Sequence, residues 1–318
     1  MKELAKICNV SVSTVSKAFH GAEDVSEETK NLIFETAKSE GVFGKFYKGK
    51  YHKKIIAVIC PEITSEYYSS FLNILQTLIE KENGICVISS YDFSPKKQKE
   101  LVEYYSSYLK VDGIIVFSLH DKLKKGYDVP IVSIFSSVDS NVDSVKTNTK
   151  EAIGEATGTL ASMGHKKIAF IGERLTSAKA NWFRSAAEEY NLDEYHIVES
   201  SERFEEAGID GVKKLIEDKA EFSAIICGYD KIAFGAIKEL KRNNLRIPED
   251  VSVIGIDNIS SSKFFETELT SIDTKPEDIC HIAFDLLLKK MDNKYFRSKQ
   301  DIIIKSSLII RESISEKN

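Results

Sequence analysis

The residues whose types and spacing invite chemistry lie close to the start of the chain, in Ser11-Val12-Ser13-Thr14-Val15-Ser16-Lys17. Clustered hydroxyls with one cation suit hydrogen bonding to phosphate oxygens and base edges, not the making or breaking of bonds. Ser11 is a good helix N-cap, because its hydroxyl can accept from an orphan amide. In the helix that follows, Val15, Ala18 and Phe19 share one face, so Val12, Ser13, Ser16 and Lys17 turn outward. Upstream, Leu4, Ala5 and Cys8 recur at helical spacing and predict a short helix over Lys2 to Cys8. Asn9-Val10 breaks it, Asn being tolerant of a left-handed backbone at a tight corner. Two short helices at a sharp corner, with small polar groups and a cation outward on the second, have the shape of a helix-turn-helix. A plain helical hairpin whose serines solvate a surface would share the pattern.

Elsewhere the chemistry thins out. There is no nucleophile elbow, no glycine-rich phosphate loop and no catalytic pair, so the sequence predicts a protein that is not an enzyme. His165, beside Lys166 and Lys167 ahead of a strand, reads as a structural turn residue, and no other histidine has a partner at ligand spacing. Cys8, Cys60, Cys86, Cys227 and Cys280 are odd in number and scattered, without a C-x-x-C pair. They read as small core residues in a reducing compartment, with neither metal nor cofactor expected.

The elements that must position the serines follow. Ser26 caps a third helix with Glu27 and Glu28 in its first turn, Leu32, Ile33, Thr36 and Ala37 as its inner face, and Gly41 at its end. Residues 42–54 lose apolar periodicity and read as a linker. From Ile55 buried strands alternate with amphipathic helices: Ile55–Cys60, a helix from Tyr68 to Glu82, Ile85–Ser89, a helix over Pro95–Tyr108, Gly113–Phe117 and Ile131–Phe135. The alternation resumes with a helix over Glu151–Met163 and runs through Val251–Ile256. Such a pattern means parallel sheets covered on both faces, here two doubly wound lobes with ligands expected at the carboxyl ends of the strands and in the cleft between them.

Charge agrees with this division. Residues 1–54 hold 10 lysines against 7 acids, five of those lysines between Lys45 and Lys54, while the remainder has 34 cations against 42 acids. A positive head on an acidic body fits a protein that touches a polyanion at one end, although the lysines alone would equally suit a solvated linker. A chain of 318 residues suggests about two or three domains. No apolar run approaches the ~18 residues of a membrane span, and Met-Lys-Glu-Leu-Ala-Lys lacks the apolar core of a signal peptide. The expectation is a cytoplasmic protein without membrane contact.

Six ordered segments resemble the LacI/GalR family of bacterial transcriptional regulators. They are Val10-Ser11-x-x-Thr14-Val15-Ser16-Lys17; Val111-Asp112-Gly113-Ile114-Ile115; Met163-Gly164-His165-Lys166-Lys167-Ile168-Ala169-Phe170-Ile171-Gly172; Ile247-Pro248-Glu249-Asp250 through Ile256-Asp257-Asn258; Leu269-Thr270-Ser271-Ile272; and Ile310-Arg311-Glu312-Ser313. The resemblance implies an N-terminal all-α helix-turn-helix headpiece followed by an α/β periplasmic-binding-protein-like effector domain of two doubly wound lobes, crossed three times by the chain. The expected boundaries are a headpiece at 1–41, a basic linker or hinge at 42–54, and an effector-binding and dimerisation domain at 55–318. Lobe one would take about 55–146 plus 276–300 and lobe two about 147–275 plus 301–318, with a helix around Glu277–Lys290 returning to lobe one and strand Ile302–Ile310 adding to lobe two.

The resemblance also implies a homodimer on a roughly palindromic double-stranded operator, acting as a repressor under a small-molecule effector, a carbohydrate or related polar metabolite. Val12, Ser13 and Lys17 occupy the base-reading positions, Val12 having a packing role as its alternative. Ser11, Thr14 and Ser16 suit capping or phosphate contact, and Lys45 and Lys48 suit phosphate contact. The linker departs from the family's hinge helix: Gly44-Lys45 replaces Pro-Asn, Gly44 and Gly49 disfavour helix, and Phe46, Tyr47 and Tyr51 remain as candidates to intercalate. For the effector, matching residues are Tyr67, Tyr68, Asn148, Lys179, Arg203, Tyr229, Asp230 and Asp257, with core packing as the alternative for the first two. Ile134-Phe135-Ser136 lacks a contact arginine and Trp182 replaces a glycine, both departures from the pattern. The rival reading is a solute-binding or sensor protein of the same two-lobe fold.

Overall fold

The computed structural model of the protein describes residues 1–47, 53–123, 129–292 and 298–317. At its start, Asn9 takes φ +52° between α1 (Lys2–Ile7) and α2 (Val12–Phe19), the left-handed corner that the sequence predicts. Ser26 caps α3 (Glu27–Ser39) by accepting from Thr29 N at 3.2 Å, and Gly41, at φ +65°, ends it. Leu4, Ala5, Val15, Ala18, Phe19, Ile33 and Ala37 pack into one core. Each large apolar side chain buried there contributes roughly 1.5–3 kcal/mol. Leu32 departs from the expected inner face: it is exposed, and Phe34 packs on the core instead. A second correction concerns the linker. Phe43–Phe46 forms one further helical turn, α4, with Gly44 inside it, because Phe43, Phe46 and Tyr47 pack with Phe19 and Phe34 and that burial outweighs the weak helix propensity of glycine.

Residues 1–54 and 55–318 are separate compact units. In the second, β1 (Ile55–Cys60), α5 (Glu66–Lys81), β2 (Ile85–Ser90) and α6 (Pro95–Glu103) come first. The expected helix over 95–108 changes to a π-helical turn at Tyr104–Leu109, after which Lys110 adopts φ +53°. Then come β3 (Gly113–Leu119), β4 (Ile131–Ser137), β5 (Asp143–Thr147), α7 (Thr149–Ser162), β6 (Lys167–Glu173), α8 (Ser177–Glu189), β7 (Glu194–Ser200) and α9 (Phe204–Glu217). The chain continues with β8 (Ala224–Cys227), α10 (Asp230–Arg242), β9 (Ser252–Asp257), β10 (Thr270–Asp273), α11 (Pro276–Asp292), β11 (Asp301–Ile304) and β12 (Ser307–Ile309).

Among the described residues the strands make two six-stranded sheets, ordered β11-β5-β4-β3-β1-β2 and β12-β10-β9-β8-β6-β7. All pairings are parallel except β10 with β12. The chain crosses between lobes after β5, after β10 and after β11, three times as implied by the resemblance. The expected single strand over Ile302–Ile310 is corrected: β11 pairs with β5 in lobe one and only β12 joins lobe two. Lys305 and Ser306 break the run between two short apolar stretches, so each can edge a different sheet.

In lobe two, α9 and α10 touch backbone to backbone. A Cβ on Gly208 would lie 2.0 Å from the Ile232 carbonyl oxygen, and one on Gly235 1.8 Å from that of Glu205. His165 is a buried turn residue, as its sequence setting predicts: Nε2 donates to the Ser315 carbonyl at 2.9 Å and Nδ1 lies 2.9 Å from Ser223 Oγ. Burial pushes its pKa below the usual imidazole value, with the Ser315 hydrogen bond acting in the opposite direction.

Candidate nucleic-acid interface and interlobe cleft

On the head, Ser11 Oγ accepts from Thr14 N at 3.0 Å and lies 2.8 Å from both Ser13 Oγ and Thr14 Oγ1. The three hydroxyls thus form one cluster at the start of α2, where backbone amides and the positive end of the helix dipole already favour an anion. Val12 is 43% exposed, far more than a packing residue would be, and Ser13 and Lys17 are exposed beside it. Ser16 is half-buried, and its carbonyl accepts from His20 Nδ1 at 2.7 Å. Lys17 is not a bare cation: it forms an ion pair with Asp24 in the turn after α2, and its hydrogen bond holds the Asp24 carboxyl below the usual range. Lys45 is exposed on α4, while Lys48 and Tyr51 lie outside the described residues. Phe46 and Tyr47, candidates for intercalation from sequence, are packed into the aromatic core of the head.

In the second unit, strand ends from both lobes surround a cavity of about 600 Å³. All eight residues expected there line it, but not alike. Tyr67 and Tyr68, in the first turn of α5, serve both readings given them, since they face the cavity and pack edge-on against Phe71 and Phe117. Burial raises both phenol pKa values. Asn148 precedes α7 at the first crossing and makes no side-chain cap bond to it. Lys179, on α8, donates to the Gly228 carbonyl at 2.7 Å and stands 3.8 Å from Asp257. Tyr229 accepts from Phe204 N at 3.1 Å and donates to Glu173 at 3.3 Å.

The two aspartates differ sharply. Asp230 is wholly buried and its carboxylate accepts from Ile259 N (2.9 Å), Ser262 Oγ (2.6 Å) and Ser271 Oγ (2.5 Å). It ties α10 to the segments after β9 and in β10, which is a structural task rather than an offer to a ligand. Burial, outweighing these hydrogen bonds, moves its pKa up to about 6. Asp257 ends β9 at φ +109°, a strained setting for a residue with a Cβ, and strain of this kind gathers at functional sites. Burial pushes its pKa up to about 7; Lys179 opposes that and the charge of Asp230 adds to it.

Sequence reasoning missed Glu62, Glu66, Phe93, Glu173 and Phe204, all of them in the cavity wall. The first two follow Pro61 at the carboxyl end of β1, a place where open α/β sheets bind ligands, so the strand-end rule could have found them. Arg203 pairs with Glu62 across the cleft at 3.1 Å.

Comparison with known proteins gives a consistent set of matches. Residues 1–41 match the model of bacterial regulatory proteins of the lacI family, and residues 157–314 match that of a periplasmic binding protein-like domain. The chain is 27% identical to the HTH-type transcriptional repressor PurR of Mannheimia succiniciproducens, covering 99% of this chain and 98% of that one. Two solved structures share the fold. One is the lac repressor dimer bound to operator and the anti-inducer ONPF, with TM-score 0.74, 18% identity and 98% of both chains covered. The other is a LacI family transcriptional regulator from Enterococcus faecium with bound ribose, with TM-score 0.73, 21% identity, and 83% of this chain and 100% of that one covered.

Proposed function

The chain belongs to the LacI family of bacterial regulatory proteins, and on that premise we propose that it is a sequence-specific DNA-binding transcriptional repressor. The observation that carries this reading is the outer face of α2, where Val12, Ser13 and Lys17 stand exposed on a helix anchored by Val15, Ala18 and Phe19. Val12 suits a thymine methyl, Lys17 a guanine edge or phosphate, and the cluster of Ser11, Ser13 and Thr14 a phosphate or base edge. Ser16, Lys45 and Lys48 complete the expected set of phosphate contacts. The headpiece is taken as residues 1–41 together with α4, which packs on its core, the hinge as the remainder of 42–54 and the effector and dimerisation domain as 55–318. A homodimer would read an operator with matching two-fold symmetry.

The effector is a small molecule, a carbohydrate or related polar metabolite, held between the lobes. Aromatic faces at Tyr67, Tyr68 and Tyr229 would stack on it, and Asp257, Asn148 and Lys179 would exchange hydrogen bonds with its polar groups. Such a ligand shifts the DNA-binding equilibrium only by binding one arrangement of the lobes better than the other. The working compartment is the cytoplasm, and no catalysis is assigned. Among the described residues no helix is long and apolar enough to cross a membrane.

The test is a gel-shift titration of the full chain on the DNA upstream of its own coding region, repeated across salt concentrations. The reading expects binding that weakens steeply with salt. Salt-insensitive or absent binding would leave the rival, a sensor of the same fold that regulates no DNA directly.

A further inference from the structure

The two lobes are joined across the cleft by contacts that the chain makes with itself. Glu62 and Glu66 belong to lobe one, just after β1 and in the first turn of α5; Arg203 immediately precedes α9 in lobe two, and Ser260 and Ser261 follow β9 in the same lobe. Arg203 Nη1 and Nη2 donate to the two oxygens of Glu62 at 3.1 and 3.2 Å, a bidentate arrangement. The guanidinium also lies 4.4 Å from the ring centre of Phe204 in its own lobe and 5.4 Å from that of Phe93 in the other. At a second point, Glu66 accepts from Ser260 Oγ at 2.6 Å, Ser261 Oγ at 2.6 Å and Ser261 N at 3.1 Å.

Two carboxylates from one lobe are therefore held by a cation, two hydroxyls and a backbone amide of the other. The Glu62 side chain is 11% exposed and that of Arg203 is 38% exposed, so the pair is shielded from salt on the carboxylate side only. We propose that Glu62–Arg203 and Glu66–Ser260/Ser261 form a two-point latch that closes the cleft before any effector arrives. Arg203 is on this account a positioning residue that sets lobe closure, and the effector tunes a cleft already shut instead of drawing open lobes together. The proposal rests on the reading of the cleft as the effector site, and it adds how that site is regulated.

The Ser261 amide supplies a reporter distant in sequence from Arg203. Hydrogen exchange on the full-length, ligand-free protein is compared for wild type, Arg203→Ala, Arg203→Lys and Glu62→Gln, with small-angle scattering on the same samples. A cooperative latch predicts that Arg203→Ala speeds exchange over residues 259–262 by about tenfold, the factor that 1.4 kcal/mol gives at equilibrium, and expands the scattering profile. Arg203→Lys keeps the charge but not the fork, so it should fall between Arg203→Ala and wild type; unchanged thermal melts for it and Glu62→Gln guard against simple unfolding. Exchange at 259–262 that ignores every change at Arg203 and Glu62, or an already open profile for the wild type, overturns the latch. A parallel operator titration keeps the two questions apart, since loss of DNA binding by the wild type would refute the repressor reading and leave the exchange result standing.

Discussion

Lys179 brings its ammonium to 3.8 Å from the Asp257 carboxylate, yet gives its hydrogen bond to the carbonyl of Gly228 at 2.7 Å. Asp257 is thus close to a cation without being fully paired. Burial raises its pKa to about 7, against the pull of Lys179. Between the usual carboxylate range and about pH 7 the folded chain holds a proton that the unfolded chain has released. Stability must therefore fall as pH rises through that window and level off above it. Asp230, raised to about 6, adds a slope of the same sign. Urea melts from pH 4 to 8 should show the decline, with Asp257→Asn reducing it by up to about 4 kcal/mol over the window. An identical slope in the variant would remove Asp257 as its source.

Asp230 holds three donors from two segments, and its loss strands them in a buried setting. Asp230→Ala should cost about 3 kcal/mol of stability, on the scale of unsatisfied buried groups. Asp230→Asn, which retains an acceptor, should cost less. Chemical denaturation gives both values, and equal costs would mean that packing rather than hydrogen bonding sets the effect.

Lys17 should lose more for DNA binding than for folding. Lys17→Ala is expected to weaken operator binding by about 1–3 kcal/mol and, where it meets phosphate, to reduce the salt slope by about one. Its pairing with Asp24 is an exposed one, worth little to the fold, so the melting temperature of the head should barely change. A large drop in melting temperature without loss of binding would reverse the assignment.

Gly235 and Gly208 let α9 and α10 approach with no side chain between them. Gly235→Ala would set a methyl against the Glu205 carbonyl, and neither backbone can yield without moving a helix. The expected penalty is about 3 kcal/mol or more, read as an early thermal transition. Ala at Gly154, with nothing within 4 Å of a Cβ, should be tolerated or mildly stabilising in the same assay.

Much of this arrangement is legible from residue order. Ser11 and Ser26 mark helix starts by type alone, and continuous apolar runs such as Ile55–Cys60 mark strands buried on both faces. What stays hidden depends on contacts distant in sequence. Leu32 has the right spacing for an inner face, but Phe34 fills that space. Phe46 and Tyr47 look like free aromatics in a basic linker until Phe19 and Phe34 are brought beside them. Glu62 and Glu66 look like solvated acids, and only the fold sets them against Arg203, Ser260 and Ser261. Asp230 follows β8 and Asp257 ends β9, so their positions cannot distinguish the carboxylate tied into the scaffold by three donors from the one standing beside Lys179.

The strand pair β11 and β12, separated by only Lys305 and Ser306, edges both sheets with nine consecutive residues, 301–309. During synthesis neither lobe can finish its own sheet ahead of the other, because the final edge of each leaves the ribosome within a few residues of its counterpart. A nascent chain that has not yet reached residue 301 would present two unfinished sheet edges together, the kind of surface that invites association with other chains. Emergence of residues 301–309 would then complete both sheets at nearly the same moment.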